Sequence, residues 1–181
     1  MKTTNLIKFG LGLTMASGAL TSFAATTADI AVTATVDQSC TITAQPLSFG
    51  KYDPISTTDK ASSSQLTLTC VKNSKPTVTL SYGDNVGQGG TERRMTNGTE
   101  FLPYEVYKPL AADATTDLPN TQCSGPGADN VVWGGEVATG LHPVAAADAT
   151  AKDYFLCGVI KAGHDVGAGN YADKLTATFS F

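Results

Sequence analysis

The chain has 181 residues and a formal net charge of −4, and its 12 basic residues are scattered along the sequence rather than clustered. This pattern argues against nucleic acid and anionic lipid as partners. Thr, Ala and Gly are frequent while Leu and charged residues are few, so the composition favours strands and turns over helices.

Residues 1–24 have the layout of a secretory signal peptide. Lys2 and Lys8 precede an apolar run, and the small residues Ser22 and Ala24 place the cleavage site after Ala24. No later apolar run is long enough to cross a bilayer, so we expect an exported chain with no membrane insertion.

Residues 28–36 alternate between apolar and mostly polar side chains, which is typical of a strand. The apolar face is formed by Ile30, Val32, Ala34 and Val36. The segment lies before the first cysteine and is followed by a short polar break. It is therefore either the first strand of its own domain or a strand that pairs with another molecule, and the pattern alone leaves both open.

The four cysteines are Cys40, Cys70, Cys123 and Cys157. An even count in an exported chain implies two disulfides, and the spacing leaves all three pairings open. No C-x-x-C pair exists and no histidine lies near a cysteine, so we expect no metal site.

Further strands are predicted at residues 40–44, 66–70, 78–82, 102–106, 131–133, 154–160 and 171–181. Apolar and polar side chains alternate clearly in residues 66–70, 78–82 and 102–106. In the last run, one face carries Leu175, Ala177, Phe179 and Phe181. We expect residues 66–70 and 78–82 to form a hairpin, residues 60–65 to be a polar loop, and residues 142–152 to be weakly helical. Seven or eight strands without a long helix predict an all-β sandwich.

The loops between these runs offer few functional motifs. Residues 83–90 are glycine-rich but lack a Gly-Lys-Ser/Thr ending, which favours a loop over a phosphate cradle. Asn97-Gly98-Thr99 matches a glycosylation acceptor, but its Asn-Gly pair favours a tight hairpin turn. Residues 113–130 form a long polar insertion. The single tryptophan, Trp133, is expected to fill the core or a sheet edge.

Catalytic residues are scarce. The only histidines, His142 and His164, lie in expected loops, and no G-x-S-x-G motif is present. We therefore expect neither an enzyme nor a cofactor. A secreted monomeric β-sandwich that binds carbohydrate is the alternative to a structural role.

Several motifs, taken in order, resemble the spore coat protein U domain family, which includes subunits of archaic (Csu-type) chaperone-usher pili. They are the segment ending at Val36 with Cys40 four residues later, Leu47-Ser48-Phe49-Gly50-Lys51-Tyr52, Leu66-Thr67-Leu68-Thr69-Cys70, Arg93-Arg94-Met95, Pro103-Tyr104-Glu105-Val106-Tyr107, Val132-Trp133-Gly134 and residues 169–181. The resemblance extends over residues 30–181.

The resemblance implies an incomplete immunoglobulin-like β-sandwich that lacks its last strand. A periplasmic pilus chaperone fills the open groove first, and the N-terminal strand of the neighbouring subunit replaces it at the outer-membrane usher, by β-strand addition. The donor strand would carry Ile30, Val32, Ala34 and Val36, and the acceptor edge would carry Leu175, Ala177, Phe179 and Phe181.

The resemblance also implies a domain division and a disulfide pairing. Residues 1–24 would be the signal peptide, 25–39 the donor extension and 40–181 the pilin domain, with Cys40 bonded to Cys70 and Cys123 to Cys157. The chain would be a shaft or adaptor subunit of a linear polymer at the cell surface, supporting adhesion and biofilm formation. The alternative is a secreted carbohydrate-binding or spore-coat-like module.

Overall fold

The computed structural model describes residues 25–87, 89–108 and 131–181. Within these ranges the strands are β1 (Cys40–Ala44), β2 (Lys60–Cys70), β3 (Thr77–Leu80), β4 (Arg93–Thr96), β5 (Phe101–Tyr107), β6 (Lys152–Ile160) and β7 (Ala177–Ser180). The helical structure described is one 3₁₀ turn, Val137–Thr139. The all-β prediction is confirmed.

The strands form two sheets that enclose one core. The larger sheet has the order β1-β2-β6-β5-β4 and the smaller has β3-β7, and every pair is antiparallel. Alternate residues of both sheets point inward, as Leu66 and Leu68 do from β2 and Val78 from β3. Trp133 is fully buried and donates from Nε1 to the Val78 carbonyl (3.0 Å), which confirms its expected place in the core.

The predicted hairpin between residues 66–70 and 78–82 is wrong. β2 pairs with β1 and β6, whereas β3 pairs with β7 in the other sheet. The connection between β2 and β3 therefore crosses the sandwich. The crossing has a physical reason, because it lets Val78 and Leu80 bury their side chains against the core from the opposite side.

Two further expectations are wrong. Residues 60–65 belong to β2 rather than to a loop. Their serines suit a strand here because Ser62 and Ser64 donate hydroxyl hydrogen bonds to the carbonyls of Ser48 and Gln45. Residues 142–152 form no helix, and β6 already begins at the last of them.

The Asn97-Gly98 turn is confirmed. It joins β4 to β5, and the Asn97 carboxamide oxygen accepts hydrogen bonds from the backbone N–H groups of Thr99 (2.9 Å) and Glu100 (2.8 Å). Gly98 has a φ of +98°, a conformation that side-chain-bearing residues rarely adopt.

A disulfide joins Cys40 to Cys70, which are paired residues at one end of the β1–β2 ladder. This is the first of the two pairings that the family resemblance implies. Cys157, on β6, is also disulfide-bonded. The predicted partner Cys123 and the 113–130 insertion lie outside the described residues, so the second pairing stays a prediction.

The chain divides into two compact units, residues 1–35 and 36–181. In the first unit, the expected signal peptide lies outside the described residues, and residues 25–35 form no strand or helix. Across the described ranges, no helix is long and apolar enough to span a membrane.

Candidate functional site

Two strand edges are left unpaired, and Ala44 at the end of β1 and Ala177 at the start of β7 line the same cavity. β1 is the outer strand of the larger sheet and β7 is the outer strand of the smaller one. Among the described residues, no strand lies beyond either edge. Unpaired edges present a row of free N–H and C=O groups that favour pairing with another chain.

The first wall of the opening continues from β1 through residues 45–54. Gln45 donates its N–H to the Gln65 carbonyl (2.8 Å), and the serine hydroxyls of β2 hold the wall further along. Gly158 lets this wall approach the sheet closely, since a Cβ there would lie 2.7 Å from atoms of both Leu47 and Phe49. The wall therefore packs directly on β6.

The second wall is residues 166–181, which end in β7. Ala172 exchanges two backbone hydrogen bonds with Thr96 (2.9 and 3.0 Å), and the Thr176 carbonyl accepts from Ser81 N–H (2.9 Å). Because backbone groups alternate in direction along an extended strand, the odd-numbered residues turn their N–H and C=O groups to the open side.

The side chains of the second wall follow the same alternation. Leu175, Ala177 and Phe179 are half-buried and pack against the core, whereas the even-numbered residues between them are exposed. Phe181 is 55% exposed and contacts the Phe179 ring edge-to-face, with ring centroids 5.7 Å apart. Of the residues expected from the resemblance to form an acceptor edge, Ala177 and Phe179 lie in β7, and Leu175 and Phe181 flank it.

Between the walls lies an open groove with an apolar floor. It comprises adjoining cavities of 760 Å³ and 430 Å³, which share Leu47, Phe49, Met95 and Tyr171 in their linings. The floor is formed mainly by Leu66, Leu80, Leu102, Tyr104, Leu156 and Ile160. We call this feature the groove.

Asp173 anchors the second wall to the body of the sandwich. Its carboxylate accepts hydrogen bonds from Tyr104 Oη (2.7 Å), the Asp84 N–H (2.9 Å) and Asn85 Nδ2 (3.1 Å). Burial, and then the bond to this carboxylate, raise the pKa of Tyr104, so its hydroxyl stays protonated and donating. Gly83 is required beside it, because a Cβ there would overlap the carboxylate.

Glu100 holds the same wall further along. Its carboxylate accepts from Tyr171 Oη and from the Gly167 N–H, both at 2.7 Å. These donors, with the tyrosine contributing most, lower the pKa of Glu100 from its ordinary value. The β4–β5 turn and the groove wall are thereby joined through an ionised carboxylate.

Polar contacts hold Tyr52, in the first wall, against the turn that follows β6. Tyr52 Oη donates to the Lys161 carbonyl and accepts from the His164 N–H, both at 3.0 Å. Asp59 accepts from the Ala162 N–H (2.9 Å) and from Lys161 Nζ (3.2 Å), which lower its pKa. The first wall is therefore fixed to the turn after β6.

Arg93 is a buried residue whose role the sequence did not reveal. It is 2% exposed, and its guanidinium donates to the carbonyls of Ser81 (2.9 Å), Leu80 (2.9 Å) and Trp133 (2.6 Å). It also lies over the Tyr82 ring, and its burial lowers the pKa of the guanidinium. Arg93 thus joins the end of β3 to β4 and the tryptophan segment.

The apolar face predicted near the N-terminus is exposed. Ile30, Val32 and Val36 are 86%, 89% and 78% exposed, and Ala34 is exposed as well. Residues 25–39 form no strand in the single chain. The strand that the alternation predicts is therefore not formed in the single chain.

The described residues contain no group of three His, Cys, Asp or Glu side chains arranged to hold a metal ion. His142 Nδ1 lies 3.2 Å from Thr77 Oγ1, and His164 contributes its backbone N–H to the groove corner. The chemistry that the groove offers is strand pairing and apolar burial.

Comparison with known proteins agrees with this architecture. The model of the Spore Coat Protein U domain family matches residues 26–178. Protein U of Myxococcus xanthus is 27% identical over an alignment of 197 positions, gaps included, which covers 98% of this chain and 99% of that protein.

A solved structure shares the fold. It is the CsuC–CsuE chaperone–tip adhesion subunit pre-assembly complex from archaic chaperone-usher Csu pili of Acinetobacter baumannii. The match has a TM-score of 0.52 and 23% identity, and covers 81% of this chain but 40% of the matched chain. The present chain therefore spans less than half the length of that structural relative.

Proposed function

Because the chain belongs to the Spore Coat Protein U domain family, we propose that it is a structural subunit of a surface pilus built by the chaperone-usher route through donor-strand exchange. It acts as a shaft or adaptor subunit, supports adhesion and biofilm formation, and has no catalytic role. The observation that carries the proposal is the groove, whose apolar floor lies between residues 44–54 and residues 166–177, two segments that adjoin the unpaired edges of β1 and β7.

The occupant that fits this groove is an extended strand with one apolar face. Main-chain hydrogen bonds to the free edges would supply affinity, and alternate side chains would fill the floor. Residues 28–36 meet this requirement, because their even-numbered side chains are all apolar. In the extended conformation these nine residues would span about 30 Å. Their apolar even-numbered side chains would point into the groove and the remaining ones toward solvent.

The proposal includes the following assembly pathway. Residues 1–24 direct export, residues 25–39 form the donor extension, and residues 40–181 form the acceptor domain. A periplasmic chaperone occupies the groove until an outer-membrane usher replaces it with the donor strand of the next subunit. The product is a linear polymer at the cell surface.

The test compares the native chain with a fusion that repeats residues 28–36 after Phe181 through a flexible linker. The native chain, expressed in the periplasm without its chaperone, should aggregate or be degraded, because its groove exposes apolar surface and unpaired backbone. The fusion should be a soluble monomer that melts cooperatively. A matched control fusion carries aspartate in place of Val32 in the added copy.

A contrary result would be a native chain that is a well-behaved monomer without any chaperone. It would favour the secreted carbohydrate-binding or spore-coat-like module instead. A fusion no more stable than its aspartate control would show that the groove does not accept this segment.

A further inference from the structure

We propose that Asp37, Gln38 and Ser39 form a joint that keeps residues 28–36 out of the groove of their own molecule, and so reserves them for a second copy of the chain. This inference rests on the proposed function. It names the segment that makes residues 28–36 pair with another molecule rather than with their own. The joint is defined as residues 37–39.

Residues 28–36 could in principle fold back beside β1 of their own molecule, because the length of the connection and the register of the side chains would allow it. Three residues separate Val36 from Cys40, and three-residue loops are a common hairpin length. A hairpin with this loop would place Val36 opposite Cys40 and Ala34 opposite Ile42. Residues that lie opposite each other in a hairpin face the same side of the sheet. The apolar even-numbered side chains of residues 28–36 would therefore point inward, like Cys40 and Ile42, beside the unpaired edge of β1.

Two hydrogen bonds oppose that reversal. The Ser39 carbonyl accepts from the Val71 N–H at 2.8 Å, which carries the β1–β2 ladder one residue past the Cys40 pair. The Gln38 carboxamide oxygen accepts from the Lys75 N–H at 3.3 Å. Both contacts hold the joint in line with β1, whereas a hairpin requires the chain to turn back there.

The backbone chemistry of the joint opposes the reversal as well. In a three-residue hairpin loop the last residue adopts a left-handed conformation, for which glycine is preferred. Ser39 stands at that position, and the joint contains neither glycine nor asparagine. Among the described residues, Asn73 is the non-glycine residue with a positive φ, so the joint does not adopt the required turn.

The test installs the missing turn. In the double variant Gln38→Asn with Ser39→Gly, the last loop residue becomes glycine and the side-chain contact of residue 38 is altered. The matched control, Gln38→Ala with Ser39→Ala, removes that contact without supplying a turn. Both are released from the chaperone complex, and the monomer fraction is measured on a sizing column.

The turn variant should show a monomer fraction higher by on the order of tenfold, because the left-handed conformation no longer penalises a side chain. The control loses one of the two contacts but gains no turn, so its monomer fraction should rise clearly less than that of the turn variant. Adding Val32→Asp to the turn variant should abolish the monomer, since the monomer depends on that segment filling its own groove.

The outcomes separate this inference from the proposed function. If the C-terminal fusion is a stable monomer but the turn variant polymerises like the native chain, the joint is not what prevents self-filling. If the fusion also fails to give a monomer, the groove does not accept residues 28–36, and the proposed function is overturned together with this inference.

Discussion

Replacing Val32 with aspartate tests the central contact of the proposed polymer. Val32 is 89% exposed in the single chain, so nearly the whole side chain is available for burial in a partner. Full burial of a valine contributes about 1.5–3 kcal/mol, and a buried unpaired carboxylate costs more. We expect the association of two subunits to weaken by about 3 kcal/mol or more, which corresponds to roughly a hundredfold increase in the dissociation constant.

The matched control is Thr33→Asp, which adds the same charge to the opposite face of the segment. Each variant is released from its chaperone complex, and polymer length is followed on a sizing column and by thermal dissociation. Thr33→Asp should assemble, whereas Val32→Asp should not. Equal assembly of the two variants would refute the reasoning. So would a lower melting temperature of the chaperone-bound Val32→Asp subunit, since that segment would then belong to its own fold.

Three further predictions are measured on the self-complemented fusion. Cys40→Ala with Cys70→Ala should lower the free energy of unfolding by about 2–5 kcal/mol in urea melts, and an unchanged midpoint would contradict this. Tyr104→Phe should cost about 1–3 kcal/mol, because Asp173 loses a hydroxyl donor; a neutral effect would show that water replaces it. The pKa of Glu100 is lowered in the fold, so its contribution is complete above its ordinary value of 4.5 and is lost as the pH falls through the lowered value. Glu100→Gln should therefore be less stable than the parent at pH 7 and indistinguishable from it in strong acid, and parallel pH profiles would contradict this.

Side-chain alternation predicted the strands whose two faces differ. Residues 66–70 were found this way because one face of the segment meets the core. Residues 154–160 were predicted as a strand without such alternation, and residues 156–160 are all buried. The Asn97-Gly98 turn was predictable because its chemistry is local, since both its bonds and its positive φ arise within a few residues. The apolar faces of residues 28–36 and of β7 were visible in the sequence because apolar residues alternate with other residues there.

What the sequence did not reveal depends on residues distant along the chain. Residues 60–65 look like a polar loop until the neighbouring segment supplies carbonyls for the serine hydroxyls. The sheet to which β3 belongs is decided by β7, about 100 residues later. Arg93 and Asp173 resemble surface charges in the sequence. In the structure, each forms hydrogen bonds with residues from several segments of the chain.

The outward-facing N–H and C=O groups of the odd-numbered residues in 171–181 would have a mechanical consequence in the proposed polymer. Hydrogen bonds of an antiparallel pair lie perpendicular to the strands, so a strand seated in the groove and pulled along its own axis loads the whole row at once, in shear. Peeling the same strand from one end would break the bonds one after another. Such a contact between subunits would withstand tension along the fibre better than a sideways pull. Its lifetime under load would be set by the rate of rupture rather than by the equilibrium constant.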